Sequence, residues 1–131
     1  MKAIMPAASP LSIVQAQLDA YNAKDIDVLL MTYATDAEQY QLHGEMLARG
    51  HEQIRARFLV RFAEPDLHAA LISRTIMENV VIDHEVVTRN FPDGVGSVEI
   101  LCVYETENGR IQKASFATGK TKLNVPFHAK A

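Results

Sequence analysis

The candidate proton carrier of this chain, His84, lies in the run Val-Val-Ile-Asp-His-Glu-Val-Val-Thr-Arg-Asn, residues 80–90. The apolar and polar residues of this run alternate, the pattern of a strand with one buried face. Suppose that Phe91 and Val95 flank a Pro92-Asp93-Gly94 turn. Antiparallel pairing then sets Thr88 opposite Val98, Val86 opposite Ile100 and His84 opposite Cys102. One face carries Val80, Ile82, His84, Val86 and Thr88 against Val98, Ile100, Cys102 and Tyr104. It is the more apolar face and is assigned to the core. His84 becomes the one imidazole in an apolar wall, where burial disfavours its charged form and leaves a neutral ring suited to a general base. A core histidine satisfied by a hydroxyl or carbonyl fits the same pattern. The opposite face carries Val81, Asp83, Glu85, Val87 and Arg89 against Ser97, Glu99, Leu101 and Val103. This mixture of charge and aliphatic surface fits a subunit interface.

Other constellations carry less. His43, His51, His68 and His84 form no His-x-His or His-Glu-x-x-His pair, so no metal is expected. Cys102 beside His84 has the makings of a nucleophile, although a small buried thiol also simply fills space. Arg55, Arg57 and Arg61 offer charge for an anion but read as the solvated flank of a helix. No glycine-rich phosphate loop is present, and no cofactor is expected.

The elements that must position these groups begin with Ser9 and Pro10, an N-cap and first-turn pair. Leu11, Val14, Leu18 and Tyr21 continue as one apolar stripe, with Gln17 beside it. The stretch Tyr21–Ala37 breaks this helix at Asn22-Ala23-Lys24, caps a second with Asp25, and runs it to Tyr33 through Ile26, Leu29 and Leu30. Residues 36–43 read as a strand. Gly50 opens a third helix with Ile54, Phe58 and Phe62 on its inner row, and Glu64-Pro65-Asp66 stops it. Strands follow at 67–77, 80–90, 95–106 and 110–118, separated by turns that include Asn108-Gly109. Leu123, Val125 and Phe127 alternate in the tail.

The chain has 131 residues, 48% of them hydrophobic and 22% charged, with a formal net charge of −3. That is enough for one domain with a core and too little for two. The charge gives no basic field for nucleic acid. A single cysteine excludes an intrachain disulfide and suits a reducing cytoplasm. Neither a signal peptide nor a run of about 20 apolar residues that would span a bilayer is expected. The reading is a leader at 1–8, one domain at 9–119 and a tail at 120–131 that adds a further strand or packs on a partner.

Several motifs resemble the nuclear transport factor 2-like superfamily, closest to its SnoaL-like and ketosteroid isomerase-like branch. They are Val14-Gln15, Asn22 through Asp27, Tyr33 through Ala37, Gly50 with Ile54-Arg55 and Phe58, and Asn108-Gly109-Arg110-Ile111. The resemblance implies an α+β, cone-shaped, cystatin-like fold: a bent antiparallel sheet around three N-terminal helices, enclosing a pocket. It also implies a homodimer through the outer sheet face. The isomerase's catalytic positions do not carry over. Its helix-one tyrosine is Gln17 here, its aspartate base is Gln41, and its protonated oxyanion-hole aspartate is Cys102. Gln41 cannot act as a base near neutral pH. Nor does the last strand, Gln112 through Thr118, hold the acid that SnoaL-like cyclases usually carry there. His84 falls where the isomerases place an aromatic pocket wall.

The expected site is therefore His84 as proton carrier in a pocket lined by Gln17, Tyr21, Tyr33, Gln41, Phe58, Cys102, Tyr104 and Phe116. A small hydrophobic organic ligand would fill it. Three readings stay open: a proton-transfer enzyme of isomerase, cyclase or dehydratase type, a non-catalytic ligand binder, and a dimeric accessory subunit.

Overall fold

The computed structural model describes residues 8–124. Most of the expected leader and the tail positions Val125 and Phe127 lie outside the described residues.

Helix α1 (Pro10–Ala23) begins where Ser9 accepts a hydrogen bond from the Ser12 N–H at 3.1 Å. It ends at Lys24, whose left-handed backbone (φ 55°) returns its N–H to the carbonyls of Ala20 and Tyr21. Ile13, Val14, Gln17, Leu18 and Ala20 form its buried face, while Leu11, expected on the stripe, is exposed. Asp25 caps α2 (Ile26–Met31) by accepting from the Val28 N–H. This helix is shorter than expected. The Thr32 hydroxyl donates to the Leu29 carbonyl, and the Thr32 carbonyl accepts from Ile111 N–H, which draws the chain into the sheet. Tyr33 therefore opens β1 (Tyr33–Gln41) instead of closing a helix.

Strand β1 turns back into β2 (Met46–Arg49), a strand absent from the sequence reading, and α3 (Gly50–Phe62) follows at once. The remaining strands are β3 (His68–Met77), β4 (Val80–Phe91), β5 (Gly94–Glu107) and β6 (Arg110–Leu123). They form one sheet in the order β2-β1-β6-β5-β4-β3. All neighbours are antiparallel except β1 and β6, which run parallel, so the sheet is mixed. Strand β6 continues past Thr118 because Gly96 lets it approach β5. A Cβ built at Gly96 would lie 2.4 Å from the Lys122 carbonyl oxygen.

The helices pack on the concave face. Val14, Leu29, Tyr33, Ile54, Val81 and Ile111 are fully buried there. Burial of each aliphatic side chain contributes about 1.5–3 kcal/mol. The rings of Tyr21, Phe58 and Phe62 meet at centroid separations of 5.7–6.0 Å and join α1 to α3. Asn22 acts as a substitute strand residue: its amide N–H donates to the Ala69 carbonyl and its oxygen accepts from Ala69 N–H. That pair fixes the end of α1 on β3.

The β4–β5 hairpin departs from the sequence reading by one residue, with large consequences. Phe91 pairs with Gly94, so the turn is the two residues Pro92-Asp93. Asp83 faces Cys102 and His84 faces Leu101. Side chains alternate with a period of two, so this shift turns every β4 residue to the other face. Val81 and Asp83 are 0% exposed and Val87 is 2% exposed, whereas Ile82 is 37% exposed. Val81 and Val87 thus belong to the core and not to an outer interface. Glu99, Leu101 and Val103 do face outward, now beside Ile82, His84 and Val86.

Gly94 closes this turn at φ 133°, a region side chains rarely adopt, with open space where a Cβ would sit. Gly94→Ala should lower unfolding stability by about 1–3 kcal/mol through backbone strain alone. Urea denaturation checks this. An unchanged midpoint would mean that the turn relaxes without its glycine.

Candidate functional site

Helices α1 and α3 stand off the concave sheet around an open cavity of about 440 Å³. Gln17 and Tyr21 reach it from α1, Gln41 from β1, and Phe58 from α3. Cys102 and Tyr104 line it from β5 and Phe116 from β6. Tyr33 is not on its wall. It is fully buried behind Phe58, and its hydroxyl accepts from the Gln39 amide at 3.3 Å.

His84 is also outside the cavity. It sits on the convex face with its side chain 35% exposed and its ring Nε2 2.9 Å from Glu99 Oε1. The assignment of His84 as a general base in an apolar interior wall is therefore overturned, and the one-residue hairpin shift is the cause.

The same shift brings Glu85 and Arg89 to the cavity wall, joined from α3 by Arg57 and Arg61. Sequence reasoning placed the first two on the outer face and the other two in solvent. The available signal was the turn itself, since two-residue hairpin loops are the commonest connection and would have given the observed register.

Glu85 is 6% exposed, and its Oε2 is the one buried side-chain oxygen or nitrogen among the described residues without a hydrogen-bond partner. Such atoms are rare in folded proteins, because an unpaired buried polar group costs roughly 1–3 kcal/mol. Two residues along the same face, fully buried Asp83 receives both Arg74 Nε (2.6 Å) and Arg74 Nη2 (2.9 Å). Arg74 Nη1 donates onward to Gln15 Oε1 at 2.8 Å. The arginine is thus committed to Asp83, leaving Glu85 to face the cavity. Burial, reinforced by the negative charge of Asp83, pushes the Glu85 carboxyl up to about 7, with Arg74 and the Cys102 thiol acting the other way. A carboxyl so placed exchanges a proton readily at neutral pH.

The neighbours of Glu85 are donors. Burial raises the Cys102 thiol well above its usual range, with the Glu85 charge as second cause, so Cys102 is a protonated thiol and not a nucleophilic thiolate. Burial likewise raises the phenols of Tyr21 and Tyr104. The Tyr104 hydroxyl donates to Gln17 Oε1 at 3.3 Å. Among the described residues, no three His, Cys, Asp or Glu side chains converge as a metal set. No helix among them is long and apolar enough to cross a membrane.

Three helices against one curved sheet, with the cavity between them, define the cystatin-like fold of the nuclear transport factor 2-like proteins. Within that class, the model of the SnoaL-like domain matches residues 14–114, and the chain belongs to the SnoaL-like family. A cystatin-fold protein of Novosphingobium aromaticivorans, itself uncharacterised, is 27% identical and superposes with a TM-score of 0.77, over 83% of this chain and 97% of its own. A Jannaschia protein provisionally named a SnoaL-like polyketide cyclase is 17% identical, with a TM-score of 0.72 over 90% of this chain and 91% of its own. One of Sinorhizobium meliloti, provisionally named a polyketide cyclase, is 23% identical, with a TM-score of 0.68 over 80% of this chain and 93% of its own. No curated protein matches the chain.

The raised Glu85 carboxyl makes stability depend on pH. In the folded state it titrates near 7, against an ordinary value of 4.5, so the folded protein holds the extra proton between those values. The stability penalty is absent below the ordinary value, grows as pH rises through this window, and is complete above it. Glu85→Gln removes the penalty. Relative to wild type, the variant should be more stable at pH 8 than at pH 5 by roughly 2–3 kcal/mol. Chemical denaturation at the two pH values measures the difference; equal effects at both would show that Glu85 titrates normally.

Proposed function

We propose that this protein is a small-molecule enzyme in which the Glu85 carboxyl moves a proton on a bound carbonyl compound, chemistry of the isomerase, cyclase or dehydratase type. Two observations carry this reading: Glu85 lines an open cavity, and its Oε2 is buried without a hydrogen-bond partner. A carboxyl titrating near 7 is present in both forms at neutral pH, so it can remove a proton from carbon and return it elsewhere. The apolar patch of Leu18, Phe58, Val98, Ile100 and Phe116 would hold the body of the substrate. The Tyr21 phenol is the donor best suited to a developing enolate oxygen, while the Tyr104 hydroxyl is engaged with Gln17. Gln41 is an orienting amide. His84 has no part in this chemistry.

A carbon-acid exchange assay tests the proposal. Cyclic β-diketones and β-keto esters incubated in D2O with the protein should lose their activated C–H signals in NMR faster than in buffer. The rate should rise with pH through about 7 as the base form of Glu85 accumulates. Glu85→Gln should reduce the enzymatic rate by about 100-fold or more. Binding of these compounds without accelerated exchange would favour a non-catalytic ligand carrier. That second reading draws on Gln17 and Gln41, amides lining the cavity where the isomerases that the chain resembles carry a tyrosine and an aspartate.

The protein is further proposed to work as a cytoplasmic homodimer. Ile82 and Leu101 are 37% and 42% exposed on the convex face, with Val86 and Val103 partly exposed beside them. That patch suits a self-association surface. Leu101→Lys with Val103→Lys should give monomers, since buried interface charges need partners. Light scattering at micromolar concentration reads the mass, and a monomeric wild type would remove the dimer.

A further inference from the structure

Arg57 and Arg61 lie one turn apart on α3 and both border the cavity, whereas Arg55 turns away and pairs with Asp27 at 2.7 Å. Arg57 donates to the Gln39 side-chain oxygen, a neutral acceptor on a fully buried residue. Gln39 is in turn fixed by donating to the Tyr33 hydroxyl. Among the described residues, no carboxylate lies within ion-pair range of Arg57. It is therefore a guanidinium held in place by an uncharged scaffold, with most of its five N–H donors free. Burial pulls its pKa down from the ordinary arginine value, and the charge of Arg61 acts in the same direction. The attraction of an anion would offset both effects.

The rest of the rim leaves that charge uncancelled. Arg61 contacts Glu64 at 3.3 Å, but Glu64 is already engaged: its two oxygens accept Arg89 Nε (3.1 Å) and Arg89 Nη2 (2.7 Å), and Oε1 also accepts Asn90 N–H. Glu64 is a single carboxylate between two guanidinium groups. Three arginines border the cavity, and the carboxylates set against them are Glu64 and the part-ionised Glu85. The excess is between one and two positive charges. A planar guanidinium with free parallel donors matches a carboxylate edge.

We propose that the ligand of this cavity is an organic monoanion, an apolar body bearing a carboxylate that docks on Arg57 with Arg61 alongside. This assignment rests on the reading of the cavity as a small-molecule site and specifies its substrate class. The carboxylate anchors one end, and the apolar patch of Val98, Ile100 and Phe116 takes the body toward Glu85. A substrate of this class positions itself by charge, so Glu85 is left free to act on carbon.

The test uses matched pairs of equal shape: naphthalene-1-acetate against naphthalene-1-acetamide, and octanoate against octanamide, titrated by calorimetry at pH 7. In wild type each anion should bind at least about tenfold more tightly than its amide, with the preference falling as salt rises. Arg57→Met should bring the two to within about twofold, and Arg57→Lys, which keeps the charge but not the parallel donors, should keep only part of the preference, with circular dichroism confirming both folds. Equal binding of anion and amide to wild type overturns the anion assignment and leaves the small-molecule reading standing. Binding of neither pair in the millimolar range overturns both. Glu85→Gln should retain the anion preference while losing carbon-acid exchange, so failure of the Glu85 chemistry is seen separately from failure of the anchor.

Discussion

The cavity depends on the parity of one hairpin. Strand β4 carries two side-chain sets of almost equal apolar content, and only the pairing with β5 decides which faces the helices. The Pro92-Asp93 turn, closed by Gly94, makes Asp83 the partner of Cys102. From that pairing follow the burial of Asp83 and Glu85, the exposure of His84 and the arrival of Arg89 at the cavity rim. A three-residue turn would have built a cavity with a histidine on its wall and an acidic outer sheet. Hairpin register is usually discussed as a matter of stability. Here it selects the chemistry of the interior.

Placing two acids on an interior face has an energetic logic. Arg74 neutralises one of them through a bidentate contact, and the buried pair costs less than an isolated buried charge. The geometry that satisfies Asp83 leaves Glu85 beside a negative charge without a cation of its own. Glu85 then avoids ionisation by holding its proton to about 7. The Asp83–Arg74 pair is therefore more than a structural brace. Its Asp83 member raises the proton affinity of the residue two positions along the strand while Arg74 acts the other way, and Gln15 on α1 holds the arginine in place. The stability lost at Glu85 resides at a cavity wall, where strained or unsatisfied groups are found when a ligand is to use them.

Much of the fold was legible in the sequence because its signals are local. Ser9-Pro10, Asn22-Ala23-Lys24-Asp25, Gly50 and Asn108-Gly109 each fix a boundary through capping or turn chemistry, and the elements lie where these residues place them. The cavity-facing positions of α1 and β5 were legible too, because Val98, Ile100, Cys102 and Tyr104 outweigh the alternating set Ser97, Glu99, Leu101 and Val103. Strand β4 was not. Val80, Ile82 and Val86 compete with Val81 and Val87, and Asp83 of the true interior set is satisfied by Arg74, which lies nine residues away on another strand. Hydrophobic alternation cannot register a buried ion pair. Strand β2 was missed because four residues beside a helix start carry too little periodicity to be read. Arg57 and Arg61 look like a solvated flank in a helical projection, since nothing local says that the helix stands off the sheet at that point.

The absence of isomerase-type residues from their expected places has a physical meaning within this fold. Gln41 and Cys102 stand on β1 and β5, whereas the titrating carboxyl stands on β4. All three strands present inward residues to one cavity, so a proton carrier on any of them can reach a bound ligand. What must travel with it is its environment: apolar burial to raise its proton affinity, and a neighbouring charge to tune it. Strand β4 supplies both through its position between β3, which brings Arg74, and β5, which brings Cys102 and Ile100. On the proposed reading, the curved sheet is a surface on which an acid–base group can stand on different strands and still face one cavity. On the proposed docking of an anion at Arg57, the cationic rim contributed by α3 would set which end of a ligand enters first, and so which of its carbons meets Glu85.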